Sequence, residues 1–341
     1  MTRLRLLLLL AGAGTLLAGL PAYAVTPVAP ARIEAADEPR AVQLLSAASR
    51  AARTRTYSGT QYVASWQEHA ASSSVAEVRH SPREGSVVTV RPTAGEQPDP
   101  SVTPTTDLDP RLLRLLVAHY DLRLAPDTMC TGRLVHVVEA LRPSDGTVAG
   151  RFWIDRASQL VLRRETFDPA GRLVRSSAFA TMSVGATGAD VAPASLETLD
   201  PIALSRLRGD GWQIPGALGD LELYDARMRT HEGQPVLHLS YSDGLSTLSV
   251  FAQHGRLGSA GMAGFRKQVM DRASVWVKAS SPERLVWAGA GRVYTVLSDA
   301  APATLRAAVT ALPHDRVRHP GLLTRIGRGL ARVGSWLNPF A

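Results

Sequence analysis

Residues 132–184 contain four short runs of apolar and β-branched side chains, with turn signals after the first and third runs. The turn signals are Ser144-Asp145-Gly146 and Asp168-Pro169-Ala170-Gly171. Asp-Gly tolerates a positive φ, and Pro followed closely by Gly presets a turn. Strands joined by such short turns pair antiparallel, because a parallel connection needs a dozen or more residues. This segment therefore predicts an antiparallel meander.

The chain before the meander predicts two helices and three more strands. Apolar residues recur at helical spacing over residues 38–54, which predicts a helix. The runs TYSGTQYVASWQ, SSSVAEVRHSP and GSVVTVRP are β-rich and bounded by Gly or Pro, which predicts strands. Asp109 and Pro110 are suited to the N-cap and first position of a second helix. The following YDLRLAP is predicted to be extended.

A polar segment rich in Ala, Gly and Pro, residues 186–205, is the best candidate for a domain boundary. Beyond it, turn signals at Glu232-Gly233 and Asp243-Gly244 separate three predicted strands. GMAGFRKQVM predicts a short helix or loop, and SVWVKAS, RLVWAGA and RVYTVLSD predict strands. PATLRAAVTALP predicts a last helix. The sequence thus predicts an N-terminal domain over 38–185 and a smaller α+β domain over 206–313.

The first residues predict export. Arg3 and Arg5 precede an apolar run that continues to about Leu20, and Ala22-Tyr23-Ala24 is a small-x-small cleavage signal. Residues 1–24 are therefore predicted to be a signal peptide, which places the mature chain in the periplasm or extracytoplasmic envelope. No later stretch reaches the length of about 18 apolar residues that a membrane span needs.

The basic residues and the cysteine exclude several functions. The formal net charge is +8, but an exported chain whose basic residues are nearly all arginine gives little indication of nucleic-acid binding. Cys130 is the only cysteine, so a disulfide within the chain and a cysteine-based metal site are both excluded. The histidines do not occur at metal-ligand spacing. We predict no cofactor and no metal.

Ser242-Asp243-Gly244 could belong either to a hydrolase site or to a hairpin turn. Asp-Gly between two β-rich runs is one of the strongest hairpin signals. A hydrolase serine needs a base and an oxyanion hole, and the chain has no Gly-x-Ser-x-Gly elbow. The turn is therefore the preferred interpretation, and the protein is not predicted to be an enzyme.

Three stretches resemble the RseB/MucB family of periplasmic regulators of extracytoplasmic sigma factors. They are RTYSGTQYVASWQ, GRFWIDRASQLVLRRETFDPAGRLVRSSAFATMSV and LHLSYSDGLSTLSVF. The second resembles the family's Leu-Trp-Leu-Asp strand and following hairpin, with Gln159 where the family has a turn glycine. The third is similar to its Tyr-Ser-Asp-Gly-Leu signature. GRVYTVLSDAAPATLRAAVTAL resembles the family's last strand and helix.

The resemblance implies an α+β fold: a LolA/LolB-like open antiparallel half-barrel with helices on the concave side, followed by the smaller domain. It implies a protein that binds the extracytoplasmic part of a membrane anti-sigma factor, modulates its proteolysis and senses lipid in the envelope stress response. The alternative is a LolA-like carrier of lipid or lipoprotein. The expected partners are the anti-sigma factor and a lipid or anionic membrane surface, with no nucleic acid.

Two sets of residues are candidates for these roles. An apolar groove is suggested for Tyr62, Trp66, Phe152, Trp153, Ile154 and Phe179. Partner binding is suggested for Tyr241, Asp243, Leu245 and Phe251. Alternation along a strand places Phe152 and Ile154 on one face and Trp153 with Arg151 on the other. The sequence leaves open which face forms the groove and whether these aromatic side chains are ordinary core.

Residues 314–341 form a basic tail. On a helix, its apolar side chains fall within about a third of the circle and its arginines gather beside them. This pattern suits the headgroup layer of an anionic membrane, although Gly327, Gly329 and Gly334 disfavour a stable helix in water. Packing on the tail's own domain is the other interpretation. The residues concerned are Leu322, Leu323, Arg325, Ile326, Arg328, Leu330, Arg332 and Trp336.

Overall fold

The structure is a computed structural model that describes residues 37–67, 70–83, 85–92, 106–185, 198–231, 233–258, 262, 264–279 and 283–315. The predicted signal peptide lies outside these residues, as does the predicted basic tail from residue 316 onward. Within the described part of the chain, no helix combines the length and apolar character that crossing a membrane requires.

An eight-stranded antiparallel sheet and two helices make up the first half of the chain. Its strand order is β3-β2-β1-β8-β7-β6-β5-β4. The elements are α1 (Asp37–Thr54), β1 (Tyr57–Gln67), β2 (Ala70–Ser81), β3 (Gly85–Pro92), α2 (Pro110–His119), β4 (Asp121–Cys130), β5 (Arg133–Leu141), β6 (Val148–Asp155), β7 (Val161–Phe167) and β8 (Leu173–Val184).

A second eight-stranded antiparallel sheet follows, in the order β13-β14-β15-β16-β12-β11-β10-β9. The elements are α3 (Pro201–Gly209), β9 (Ala217–Leu218), β10 (Leu221–His231), β11 (Gln234–Ser242), β12 (Thr247–His254), β13 (Arg266–Met270), β14 (Ala273–Lys278), β15 (Glu283–Gly289), β16 (Arg292–Ser298) and α4 (Pro302–Ala311).

Both helices of the first half cover one face of their sheet. Leu45 of α1 and Leu116 of α2 are fully buried against Phe152 and Ile154 of β6. Burial of such large apolar side chains contributes roughly 1.5–3 kcal/mol each, which is what holds the helices on the sheet. The opposite face carries Trp153, which packs with side chains of β5 and β7. The alternation predicted for β6 is therefore confirmed.

The start of α2 follows from its sequence. The Asp109 side chain accepts a hydrogen bond of 2.6 Å from the backbone N–H of Arg111, and Pro110 occupies the first turn. A helix leaves its first backbone N–H groups unpaired. The Asp109 carboxylate accepts from one of them, and Pro110 has no N–H group to leave unpaired. The helix ends at His119, after which Tyr120 is extended and leads directly into β4.

The core of the second half lies between its sheet and α4. Leu305, Ala308 and Val309 of α4 pack with Tyr241 and Trp287 of the sheet. The Trp287 indole N–H donates to the carbonyl of Pro313 over 2.9 Å, which fixes the chain just after the helix. This face of the second sheet is therefore filled by its own side chains.

The α+β fold class is confirmed: both sheets are open and antiparallel, and α1 and α2 lie on one face of the first sheet. The strand and helix predictions agree with the structure in all but three places, the first of which is the short strand β9, which was not predicted. Residues 266–270 form strand β13, so the short helix or loop predicted from GMAGFRKQVM is wrong there; the ladder with β14 stabilises the strand. Helix α3 begins at Pro201, inside the stretch predicted as linker, because Asp200 caps it through the N–H of Ala203.

Both sheets belong to one compact unit. The division into domains over 38–185 and 206–313 stays a prediction.

At the outer edge of the first sheet, β4 contains Pro126, and its pairing with β5 shifts register between Ala125 and Thr128. This irregularity interrupts the ladder at an exposed edge.

Candidate functional site

A polar cleft of about 280 Å³ lies where β7 and β8 of the first sheet face β10 and β11 of the second. Four arginines and four aspartates give the cleft its charge, and hydroxyl groups lie among them. The lining residues are Asp107, Asp109, Leu112, Arg164, Thr166, Arg175, Ser177, Tyr224, Asp225, Arg227, Arg229, His238, Ser240, Leu245, Thr247 and Asp299. We call this region the charged cleft.

Strand register brings the charged groups together. On the first sheet, Arg164 pairs with Ser177, and Thr166 pairs with Arg175. On the second sheet, Asp225 pairs with Ser240 and Arg227 with His238. Because opposite residues on antiparallel strands project from the same face, each sheet presents a block of charged and hydroxyl groups to the cleft.

The turn between β11 and β12 joins the second sheet to α2. The Tyr120 hydroxyl donates to Oδ2 of Asp243 over 2.8 Å, while Oδ1 of Asp243 accepts from the N–H groups of Leu245 and Ser246 over 2.8 and 2.7 Å. Gly244 has φ +95° and lies so close to the backbone of Leu116 that a Cβ atom there would overlap it. The turn predicted from Asp243-Gly244 is confirmed, and it is buried against the first half of the chain.

Leu245 continues this contact. Its side chain belongs to the core cluster of the first half, and a Cβ atom on Gly150 would lie 2.6 Å from its Cδ2. Arg164 donates from Nη2 to the carbonyls of Gly244 and Leu245 over 3.1 and 2.9 Å. The turn is therefore held by apolar packing on one side and by a guanidinium on the other.

Arg164 has an uncommon environment. Its guanidinium carbon lies 5.4 Å from the centre of the Phe152 ring. Burial lowers the pKa of Arg164, and the positive charge of Arg175 lowers it further. In the described part of the chain, no carboxylate lies within ion-pair distance of Arg164. The negative charges of Asp299 and Asp243 act on the pKa of Arg164 in the opposite direction.

Ion pairs cross the cleft. Nη1 of Arg175 lies 3.2 Å from Oδ2 of Asp299, and the two side chains are 14% and 17% exposed. Oδ1 of Asp299 also accepts from the N–H of Thr247 over 2.7 Å. Nη1 of Arg111 on α2 lies 3.3 Å from Oδ1 of Asp225 on β10. Charged groups of the first half thus pair with carboxylates of the second at two separate points.

A serine–histidine pair occurs in the cleft. Nε2 of His238 lies 3.3 Å from Oγ of Ser240 and 3.2 Å from Oγ of Ser249, and the imidazole stacks on Phe251. Burial, aided by the positive charge of Arg229, lowers the pKa of His238 to about 4. Nδ1 bonds to no group among the described residues, so no acid orients the ring as a catalytic base requires. The arrangement suits a neutral hydrogen-bonding group.

The predicted groove residues separate into two environments. Phe152, Ile154 and Phe179 are fully buried beneath the helices. Tyr62 and Trp66 are 56% and 40% exposed on β1. Trp153 lies on the sheet face away from the helices, with the Arg163 guanidinium 4.8 Å from its ring centre. The structure does not bring the six together, and a ligand could reach the buried three only if a helix moved.

The predicted partner-binding residues are mostly internal. Tyr241 is buried in the second core and donates to the carbonyl of Pro215 over 3.0 Å. Asp243 and Leu245 are buried in the contact with α2 and β6. Phe251 is half-buried beside His238. Leu245 also lines the charged cleft, and Phe251 adjoins the cleft through His238. Partner binding by this set stays a prediction.

Sequence reasoning missed the arginines of the cleft. Arg227 and Arg229 alternate along β10, which is also the pattern of an ordinary solvated strand face. The same is true of Arg164 and Thr166 on β7. Among the described residues, no group of three or more His, Cys, Asp or Glu side chains could hold a metal ion.

Residues 77–202 match the sequence model of the MucB/RseB N-terminal domain, which confirms the resemblance found in the sequence. No curated protein sequence matches the chain. Among solved structures, a Pseudomonas aeruginosa MucA/MucB complex is 21% identical, with 81% of this chain and 99% of that chain covered and a TM-score of 0.43. A structure of MucB is 18% identical over 81% and 98%, with a TM-score of 0.47. A LolA superfamily protein from Nitrosomonas europaea is 10% identical over 76% and 90%, with a TM-score of 0.19.

Proposed function

Because residues 77–202 match the sequence model of the MucB/RseB N-terminal domain, we propose that the chain binds the extracytoplasmic part of a membrane anti-sigma factor. Binding covers that segment and so modulates its proteolysis. The family match is the observation that carries this proposal. The predicted signal peptide supports a periplasmic location, where such a segment is accessible.

The charged cleft is the proposed contact site. It receives side chains from both sheets, so an extended segment lying in it touches both halves of the chain. Arg229 is exposed and pairs with no carboxylate in the described part of the chain, while Ser177, Ser240 and Thr247 offer hydroxyl groups. Charged rims of this kind increase association rates and select partners by electrostatic complementarity.

The cleft favours recognition over bond cleavage. A general base works best with a pKa near the operating pH, whereas the pKa of His238 is lowered to about 4 by burial. The neighbouring Ser240 and Ser249 share one ring nitrogen as their partner. These groups can hold a peptide by hydrogen bonds without activating a nucleophile.

Lipid sensing is part of the proposal. Acyl chains need apolar area, and the largest apolar area of the first half lies beneath α1 and α2 around Phe152 and Ile154. An acyl chain that entered there would displace a helix. Since α2 contacts Gly244 of the turn, such a displacement would alter the contact between the halves, which is how lipid could relieve partner binding.

The proposal is tested with the mature chain and purified extracytoplasmic segments of the membrane anti-sigma factors of the source organism. We expect one segment to bind and to resist proteolysis when bound. The R229E variant should weaken that binding by about tenfold and change its salt dependence, whereas R256E, at an exposed arginine beyond β12, should not. If no segment binds or gains protection, the proposed function is wrong.

A further inference from the structure

The outer side of α1 and α2 carries two broad hollows that the charged cleft does not include. One, of about 570 Å³, is lined by Arg40, Val42, Leu44 and Arg50 among others. The second, of about 560 Å³, lies between the two helices and is lined by Val42, Arg50, Arg53, Arg114 and Val117 among others. We call the outer face formed by these residues of α1 and α2 the basic helix surface.

The charge of the basic helix surface is of one sign. Arg40, Arg50, Arg53 and Arg114 are all exposed. In the described part of the chain, none of the four pairs with a carboxylate, and the only side-chain partner of Arg53 is Oγ of Ser49, at 2.9 Å. Neither hollow has an acidic side chain in its lining. The surface therefore attracts anions over its whole extent.

The arginines are spread over an area. Arg40 and Arg53 are separated by thirteen residues of α1, which is about 20 Å along a helix at 1.5 Å per residue. Arg40 lines only the first hollow, while Arg53 and Arg114 line only the second. The charges thus lie on both sides of α1, and a single peptide segment in one hollow would leave those on the other side without a partner.

Apolar side chains lie between the arginines. Val42 and Leu44 of α1 are only partly buried, and Val117 of α2 is 40% exposed. Arginine can keep its guanidinium among lipid phosphates while its aliphatic stem lies over such apolar groups. The combination of a spread of unpaired arginines with small apolar patches is suited to a flat anionic layer.

We propose that the basic helix surface docks the protein on an anionic phospholipid membrane. The plane of headgroups can contact the arginines on both sides of α1 at once. A Lys or Arg near an anionic membrane contributes about 1 kcal/mol of attraction, which corresponds to about a fivefold change in partition coefficient per arginine. The inference does not depend on the proposed function, because it concerns a separate surface and a lipid partner.

The test is flotation of the full mature chain with vesicles of phosphatidylcholine and phosphatidylglycerol at 7:3, and with phosphatidylcholine alone. We expect binding to the anionic vesicles only, with a decrease as salt rises because screening shortens the range of attraction. The R50Q/R114Q variant should bind about 25-fold more weakly, as two arginines at about fivefold each predict. The control R256Q/R266Q removes the same charge from exposed positions of the second half and should bind like the unaltered chain.

A third variant, R325Q/R328Q/R332Q, measures how much the predicted basic tail contributes to vesicle binding. If this variant loses all vesicle binding while R50Q/R114Q loses none, the docking proposal is wrong. Equal losses from R50Q/R114Q and from R256Q/R266Q also contradict it, since net charge alone would then explain binding. Because the replaced helix arginines are exposed, thermal melts should confirm that R50Q/R114Q folds normally.

Discussion

The Tyr120 hydroxyl donates a 2.8 Å hydrogen bond to the carboxylate of Asp243, and these residues are 123 positions apart in the chain. Tyr120 directly follows α2, whereas Asp243 opens the turn between β11 and β12. The bond joins the element that covers the first core to the turn that borders the charged cleft.

Removing the Tyr120 hydroxyl should destabilise the protein measurably. In Y120F, the Oδ2 atom of Asp243 loses its side-chain donor in a buried place, which costs about 1–3 kcal/mol of unfolding free energy. Urea unfolding followed by tryptophan fluorescence measures this. Y62F, at a side chain that is 56% exposed, is the matched control and should change stability by less than about 0.5 kcal/mol. Equal midpoints for the two variants would contradict the prediction.

Gly244 should tolerate no side chain. At φ +95° an L-residue is strained, and its Cβ atom would overlap the Leu116 backbone. Overpacking typically costs about 1–3 kcal/mol and a strained φ adds further cost, so G244A should lose more than about 3 kcal/mol or separate the turn from α2. G146A is the control, since Gly146 has φ +68° with open space around it. A loss in G244A no larger than that in G146A would mean that the turn is not packed on α2.

The ion pair of Arg175 and Asp299 should show a measurable interaction free energy. Because both side chains are mostly buried, a double-mutant cycle with R175Q and D299N should give about 1–2 kcal/mol of interaction. The exposed pair of Arg172 and Asp168, with Arg172 77% exposed, is the control and should give less than about 0.5 kcal/mol. Thermal unfolding of the six single and double variants measures both cycles. Equal interaction free energies for the two pairs would contradict the prediction that burial strengthens the ion pair of Arg175 and Asp299.

Stability should fall between pH 6.5 and 4 because of His238. Burial lowers the pKa of His238 to about 4 in the folded chain, from an ordinary value of 6.5. In this window the unfolded chain binds a proton that the folded chain does not, so unfolding becomes easier as the pH falls, by at most about 3 kcal/mol. Arg227, Arg229 and Asp225 act on the same ring. The H238Q variant should flatten this part of the pH profile, whereas H231Q, at an exposed residue, should keep it.

The turns and helix starts could be predicted from the sequence because the residues that form them also specify them. Asp243-Gly244 and Asp168-Pro169-Ala170-Gly171 specify turns by their own backbone preferences, and Asp109 caps α2 with its own side chain. Strand β13 escaped prediction because pairing with β14 stabilises residues that carry no strand pattern of their own. Tertiary context overrides β-propensity in this way.

The charged cleft could not be predicted because it depends on how two sheets meet. Arg164 and Asp299 are 135 positions apart in the sequence, and nothing in their neighbours indicates that they line one space. In the same way, the sequence around Leu245 does not indicate that its side chain packs against Gly150 of the first sheet.

The interrupted edge of the first sheet affects how copies of the protein meet. An open sheet ends in strands whose outward N–H and C=O groups can template another chain. Proline cannot donate to such a ladder, and Pro126 stands beside the register shift of β4. This strand therefore lacks an even row of free donors, which disfavours the addition of a further strand at this edge of the sheet.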